Sequence, residues 1–91
     1  MLDVYYTSRF KKDYKKAKRQ GKNIRELQKI IVLLRQKEIL PEKYRDHQLT
    51  GEYRRFRECH ITPDWLLIYK IDDNKLVLSL SRLGSHSELF N

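Results

Sequence analysis

Cysteine is almost missing from this sequence. Cys59 stands alone, which excludes an internal disulfide and suits a reducing cytoplasm rather than a secreted framework. Long apolar runs are missing as well: none approaches the ~20 residues that cross a bilayer, and Met1-Leu-Asp-Val opens on an acidic residue without an apolar core of signal length. A soluble cytoplasmic protein with no membrane partner is expected. Repeats, low-complexity segments and linkers are absent, so the 91 residues read as one domain over 1–91. Its core should be thin, since chains of this size bury only about 60–65% of their unfolded surface. Acidic residues are the scarcer sign, 12 Asp and Glu against 20 Lys and Arg, and the resulting net charge of +8 points to a polyanionic partner.

What is present begins with a short aromatic strand, Leu2 to Tyr6, followed by Thr7 or Ser8 as a helix N-cap. Phe10, Tyr14 and Ala17 then recur at helical spacing, and Lys11, Lys12, Lys15, Lys16, Lys18 and Arg19 fill the rest of the circumference. This first helix docks one narrow face and presents a positive one, either as a merely solvated surface or as a contact to nucleic acid or an acidic protein. Gly21 suits a C-cap, and Asn23 with Glu26 approaches a capping box for a second helix running to about Glu38. Ile24, Leu27, Ile30, Ile31 and Leu34 give that helix a wide apolar stripe. Two helices joined by so short a turn predict an antiparallel hairpin.

Ile39 to Gly51 shows no period and reads as a connecting loop. From there the pattern turns to period two, predicting strands over Tyr53–Ile61, Trp65–Ile71 and Lys75–Ser81, joined by the turns Thr62-Pro63-Asp64 and Asp72-Asp73-Asn74. Trp65, Leu67, Tyr69 and Ile71 share one face, as do Leu76, Leu78 and Leu80. Leu83-Gly84 closes the last strand, and Ser85 caps a terminal turn to Phe90. The fold class is α+β, two helices on a small, mostly antiparallel twisted sheet.

Three histidines carry the chemistry. Cys59 and His60 are adjacent on a strand and point to opposite faces, so they do not form a nucleophile–base pair, and Cys59 reads as a small buried group. Ser85 and Ser87 around His86 read as helix caps. His60, Asp64 and His86 would suit zinc, yet the histidines lack paired short spacing and the clustered carboxylates of a metal nuclease are missing, so no metal and no cofactor is expected. Acid–base chemistry without metal remains. RNA supplies its own nucleophile, the 2′-hydroxyl, and needs a base, a cation at phosphorus and an acid for the leaving 5′-oxygen. Asp64, His47, His60 and His86 with Arg82 provide that set.

The same residues carry a family resemblance. Asp46-His47-Gln-Leu-Thr-Gly51, the run from Phe56 to Tyr69, and Arg82-Leu-Gly-Ser-His86-Ser-Glu-Leu-Phe90 resemble the YafQ-type toxins of the RelE superfamily, and cover most of the C-terminal half. The first half agrees only in its pattern of strand, basic helix and apolar helix. The resemblance implies a RelE-like fold and a ribosome-dependent endonuclease that cleaves translated mRNA. It also implies an inhibitory, DinJ-like cognate antitoxin, with operator DNA contacted only through the antitoxin complex. By position, His47, His60, Asp64, Arg82, His86 and Phe90 match the family's functional residues, without departure. In the chemical assignment His86 is the acid, Asp64 the base and Arg82 the phosphate clamp, with His47 and His60 orienting substrate or sharing the proton and Phe90 stacking a base. Acid and base can be exchanged without offending the sequence. Lys11, Lys12, Lys15 and Lys16 would dock the ribosome's RNA or capture an acidic antitoxin segment. Trp65 reads as core. The rival class is a basic RNA- or protein-binding module of the same fold without cleavage.

Overall fold

Thr7 converts the first strand into the first helix. In the computed structural model, which describes residues 1–90, β1 spans Asp3–Tyr6 and α1 spans Ser8–Arg19. Thr7 Oγ1 accepts from the Phe10 N–H at 3.0 Å and donates to the Ser81 carbonyl at 2.9 Å, so the cap also ties the helix to the sheet. Gly21, at φ +73°, ends α1: the N–H groups of Gly21 and Lys22 reach back to the carbonyls of Lys18 and Ala17. Asn23 Oδ1 caps α2, Ile24–Arg35, through the Glu26 N–H. The capping box stays half made, because the Glu26 carboxylate is taken by the Tyr44 hydroxyl.

The second helix stops at Arg35, short of Glu38. Lys37 adopts φ +59° and the chain repeats the same two-bond closure onto Leu34 and Leu33 without a glycine. A tertiary contact holds this end: the Leu2 N–H donates to the Arg35 carbonyl at 2.8 Å, and Arg35 Nε donates to the Leu2 carbonyl at 3.2 Å.

The remaining elements are β2 (His47–Gln48), β3 (Arg57–Thr62), β4 (Trp65–Asp72), β5 (Val77–Gly84) and α3 (His86–Phe90). The sheet runs β1-β5-β4-β3-β2, with β1 parallel to β5 and every other pair antiparallel. Three sequence expectations need correction. The segment Ile39–Gly51 is not all loop: it holds a 3₁₀ turn at Glu42–Tyr44 and the edge strand β2, too short to show a period. The strand expected from Tyr53 begins at Arg57, because Gly51–Tyr53 forms a second 3₁₀ turn. Leu76 does not share a face with Leu78 and Leu80, since at φ +55° it sits in the turn, 55% exposed, and β5 runs from Val77 to Gly84.

Opposed residues on neighbouring strands share a face, and this sorts the sheet. Cys59, Leu67, Tyr69, Leu78 and Leu80 face the helices and pack with Phe10, Ala17, Leu27, Ile30 and Leu34. Trp65 joins this core at 2% exposure. Burial pushes the Cys59 thiol well above its ordinary range, which keeps it an inert apolar filler. A bulge in β5 shifts the register between the Ile68–Arg82 and Tyr69–Leu80 pairs, so Leu80 and Leu83 both point into the core while Arg82 aligns with the opposite face. Among the described residues no helix is long and apolar enough to cross a membrane.

Candidate active site on the open face of the sheet

His47, Glu58, Ile68 and Arg82 form one register row across β2, β3, β4 and β5, and His60, Leu66 and Gly84 form a row beside it. With strands ~4.8 Å apart, the carboxylate end of the row and Arg82 are separated by about 10 Å of β4. Leu66 and Ile68 make an apolar floor between them, 1% and 6% exposed.

At the outer end, His47 and His60 converge on one carboxylate. A carbonyl can only accept, so His47 Nδ1 donates to the Arg45 carbonyl at 2.7 Å and His60 Nδ1 to the Pro63 carbonyl at 3.2 Å. Both Nε2 atoms therefore face Glu58 Oε1, at 3.5 and 3.4 Å, and the two rings lie 6.2 Å apart. Glu58 is only 5% exposed. His47 thus stands on a paired edge strand, and two networks hold the segment before it. Tyr44 donates to Glu26, which pushes the phenol up to about 12. Asp46 accepts from the Tyr69 hydroxyl and, at 3.0 Å, from Arg57 Nη2.

At the inner end, Arg82 is not a free cation. Its Nε donates to Asp13 Oδ2 at 2.8 Å and Nη2 approaches Oδ1 at 3.4 Å, while the same Oδ2 accepts the Leu83 N–H at 2.9 Å. The hydrogen bond to Asp13 raises the guanidinium further above its already high value. This side-on pairing uses one edge of the guanidinium and leaves the Nη1–Nη2 edge for an anion.

His86 begins α3, and Ser85 and Glu88 form a reciprocal box before it: Glu88 Oε1 accepts the Ser85 N–H at 2.8 Å, and Ser85 Oγ accepts the Glu88 N–H at 3.2 Å. Lys16 ion-pairs with the other Glu88 oxygen, and that pair and the Ser85 bonds hold the Glu88 carboxyl down to about 2. Asp64 Oδ1 accepts the His86 backbone N–H at 3.4 Å. The His86 ring lies 5.0 Å from Phe90, which meets Tyr53 edge-on at 6.2 Å. Tyr53, Phe56, Phe90, Arg9, Lys70 and Arg82 line a groove of ≈ 620 Å³ over Ile68, with cations and aromatic faces side by side.

The expected site residues thus fall into three groups: His47 with His60, Asp64 with His86 and Phe90, and Arg82 with Asp13. The four lysines divide. Lys16 pairs with Glu88, whereas Lys11 and Lys15 line a separate groove with Tyr6, Tyr14 and Ile31 between α1 and α2. Lys12 is exposed on α1. Residue-by-residue reasoning missed Glu58 and Asp13. Parity marks Glu58, two positions before His60 and therefore on its face; Asp13 carries no sequence signal beyond being the one acid among the lysines of α1. Among the described residues no group of three or more His, Cys, Asp or Glu side chains is placed to hold a metal ion.

Comparison with known proteins gives concordant matches. The model of the family described as "Bacterial toxin of type II toxin-antitoxin system, YafQ" matches residues 2–91. The mRNA interferase toxin YafQ of Escherichia coli K12 is 37% identical over 89 residues, covering 97% of this chain and 95% of its own. A copper-bound mutant toxin from Helicobacter pylori superposes with a TM-score of 0.95 at 44% identity, over 99% of this chain and 100% of its own. A chain of the E. coli DinJ-YafQ complex superposes with a TM-score of 0.90 at 36% identity, over 100% of both.

Proposed function

The chain belongs to the YafQ family of bacterial toxins of type II toxin–antitoxin systems, and from that premise we propose that it is an mRNA interferase, a ribosome-dependent endoribonuclease that cuts translated mRNA without a metal. The observation that carries this reading is the open face of the sheet, where an imidazole–carboxylate cluster, a guanidinium and a third imidazole are laid out across an apolar and aromatic floor.

RNA lies across β4 with its scissile phosphate toward the free edge of Arg82. The His47–Glu58–His60 cluster is the base: one of its nitrogens takes the 2′-hydroxyl proton, and the buried carboxylate stabilises the imidazolium that forms. The 2′-oxygen bonds to phosphorus, the bond to the 5′-oxygen breaks, and His86 gives that oxygen its proton, leaving a 2′,3′-cyclic phosphate and a 5′-hydroxyl. Arg82 neutralises the charge on the crowded phosphoryl group. Asp64, marked by residue pattern as the base, here holds the first turn of α3, and Phe90 with Tyr53 gives a flanking base an aromatic face. Diffuse positive charge favours docking on ribosomal RNA phosphate.

A co-expressed, DinJ-like antitoxin is the expected inhibitor, since the E. coli relative is found with DinJ in a complex. Operator DNA is then reached only through that complex.

Primer extension on a translated message tests the proposal, and naked RNA with and without chelator tests the metal-free chemistry. Wild-type protein should cut within the reading frame, and His86→Ala should cut about 10²–10³-fold more slowly, the range of a lost acid–base group. Equal cleavage by both proteins sinks the assignment; cutting of naked RNA that chelator abolishes sinks the metal-free chemistry.

A further inference from the structure

Asp13 and Lys16 sit three residues apart on α1 and so project from one side of the helix, each ending on a group of the C-terminal segment. At ~100° per residue Lys11, Lys15 and Lys18 cluster on the opposite side. The two faces of α1 therefore do different jobs. Asp13 Oδ2 receives two donors, Arg82 Nε at 2.8 Å and the Leu83 N–H at 2.9 Å, fixing the guanidinium and its own backbone together. Lys16 fastens Glu88, whose carboxylate closes the box on Ser85 immediately before His86. A five-residue helix does not hold itself in water. Besides these ties, α3 has the long 3.4 Å bond from the His86 N–H to Asp64 and the packing of Leu89 and Phe90.

We propose that Asp13 and Lys16 are positioning residues for the cleavage reaction, Asp13 aiming Arg82 at the scissile phosphate and Lys16 seating the turn that carries His86. The inference rests on the proposed roles of Arg82 and His86. Lys16 thereby leaves the RNA-docking surface on which its sequence neighbours placed it. The Lys16–Glu88 pair, its side chains 51% and 39% exposed, adds little to global stability, so Lys16 should matter for rate rather than folding. The Arg82–Asp13 pair is more buried, at 26% and 17%, and Asp13 also holds the Leu83 N–H, so Asp13→Asn, which keeps the shape, separates aim from folding.

Single-turnover cleavage on programmed ribosomes decides it, using Asp13→Ala, Asp13→Asn, Lys16→Met, Lys16→Arg, Arg82→Ala, His86→Ala and the double variant Asp13→Ala with Arg82→Ala. Asp13→Ala and Lys16→Met should each lower the maximal rate about tenfold or more, the scale of a misplaced group, with half-saturation unchanged and, in Lys16→Met, the melting temperature unchanged. Asp13→Asn should show the same loss of rate with the fold kept. Lys16→Arg should restore most of the rate. Asp13 acts through Arg82, so the double variant should be no slower than Arg82→Ala alone. Wild-type rates in Asp13→Ala and Lys16→Met overturn the inference, as does a fully additive double variant. A Lys16→Met effect confined to half-saturation makes Lys16 an RNA contact and overturns its part. If Arg82→Ala and His86→Ala themselves cut at the wild-type rate, the catalytic assignment falls and takes the inference with it; if those two are inactive and only the α1 variants are normal, the inference alone falls.

Discussion

His47 and His60 stand on strands, and His86 stands on five residues of helix. The first pair is held by ladder pairing, by a carbonyl on each Nδ1 and by a carboxylate 5% exposed. His86 is held by ties at the surface, the Ser85–Glu88 box, the Lys16 pair and one 3.4 Å bond. Same residue type, different mechanical support: moving the strand pair requires disturbing the sheet, whereas α3 can be displaced without unfolding anything else. On the proposed assignment, a base fixed in advance and an acid on an adjustable arm would let one side of the groove define the attack geometry while the other accommodates the leaving nucleotide.

The largest effect should come from the residue beneath both ends. Trp65 opens β4, adjoins Asp64 and lines the cleft under Arg82 and Glu88. Trp65→Ala should cost about 3–5 kcal/mol in urea unfolding, the usual loss for a buried aromatic. That loss should be global, with amide exchange accelerating in β3 and α3 alike. Exchange confined to α3 would show that Trp65 supports the helical end alone, and would sharpen the contrast between the two ends.

Next in size is Glu58→Gln, which keeps shape and removes charge. The fold should survive, and cleavage should fall about 10²-fold, as expected when the group that stabilises an imidazolium is neutralised. Unchanged cleavage would reduce Glu58 to a structural partner of the two rings and move the base elsewhere.

Gly84→Ala tests the adjustable end. A Cβ there would lie 3.2 Å from both Glu88 Oε1 and Leu89 Cδ2, so these two side-chain ends, through which α3 is seated, must give by a few tenths of an ångström. The expected cost is about 1–2 kcal/mol, the lower part of the range for overpacking. The contact between His86 and Phe90 should weaken in NMR spectra while the His47–His60 contact persists. Simultaneous loss of both contacts would erase the distinction between the ends.

How much of this could be read beforehand follows the same division between local and tertiary causes. Thr7, Asn23, Gly21 and Ser85 act within their own turns, and each cap is where its residue type places it. Parity along β4 put Trp65, Leu67 and Tyr69 on the helix-facing side, but it could not show that Leu66 and Ile68 on the other side are buried as well. Leu76 defeated the same rule, since a left-handed turn leucine carries no sign of its φ in its identity. Lys37 ends α2 in that conformation for a tertiary reason, the docking of Leu2 on Arg35. β2 is two residues long, too short for any period, and its place beside β3 is secured by Asp46 reaching Tyr69 and Arg57. In the site, histidines draw attention by their chemistry, while Glu58 and Asp13 are ordinary charges until their partners are known. Asp13 meets Arg82 across 69 positions of sequence.

The smallest effect is the pH dependence of that adjustable arm. Glu88 titrates at about 2 against an ordinary 4.5, because Lys16 and the Ser85 N–H favour its charged form. A depressed carboxylate contributes fully above the unfolded value and loses its contribution as pH falls through the folded one. The seating of α3 should therefore hold at pH 5, weaken between about 4.5 and 2, and fail below. Screened as an exposed pair, the contribution is under about 1 kcal/mol. The His86–Phe90 contact, followed by NMR down this range, should fade in step with Glu88 protonation, and Glu88→Gln should bring the faded state to pH 5. If the contact in Glu88→Gln matches wild type at pH 5, packing of Leu89 and Phe90 alone seats the helix, and the arm is stiffer than its surface ties imply.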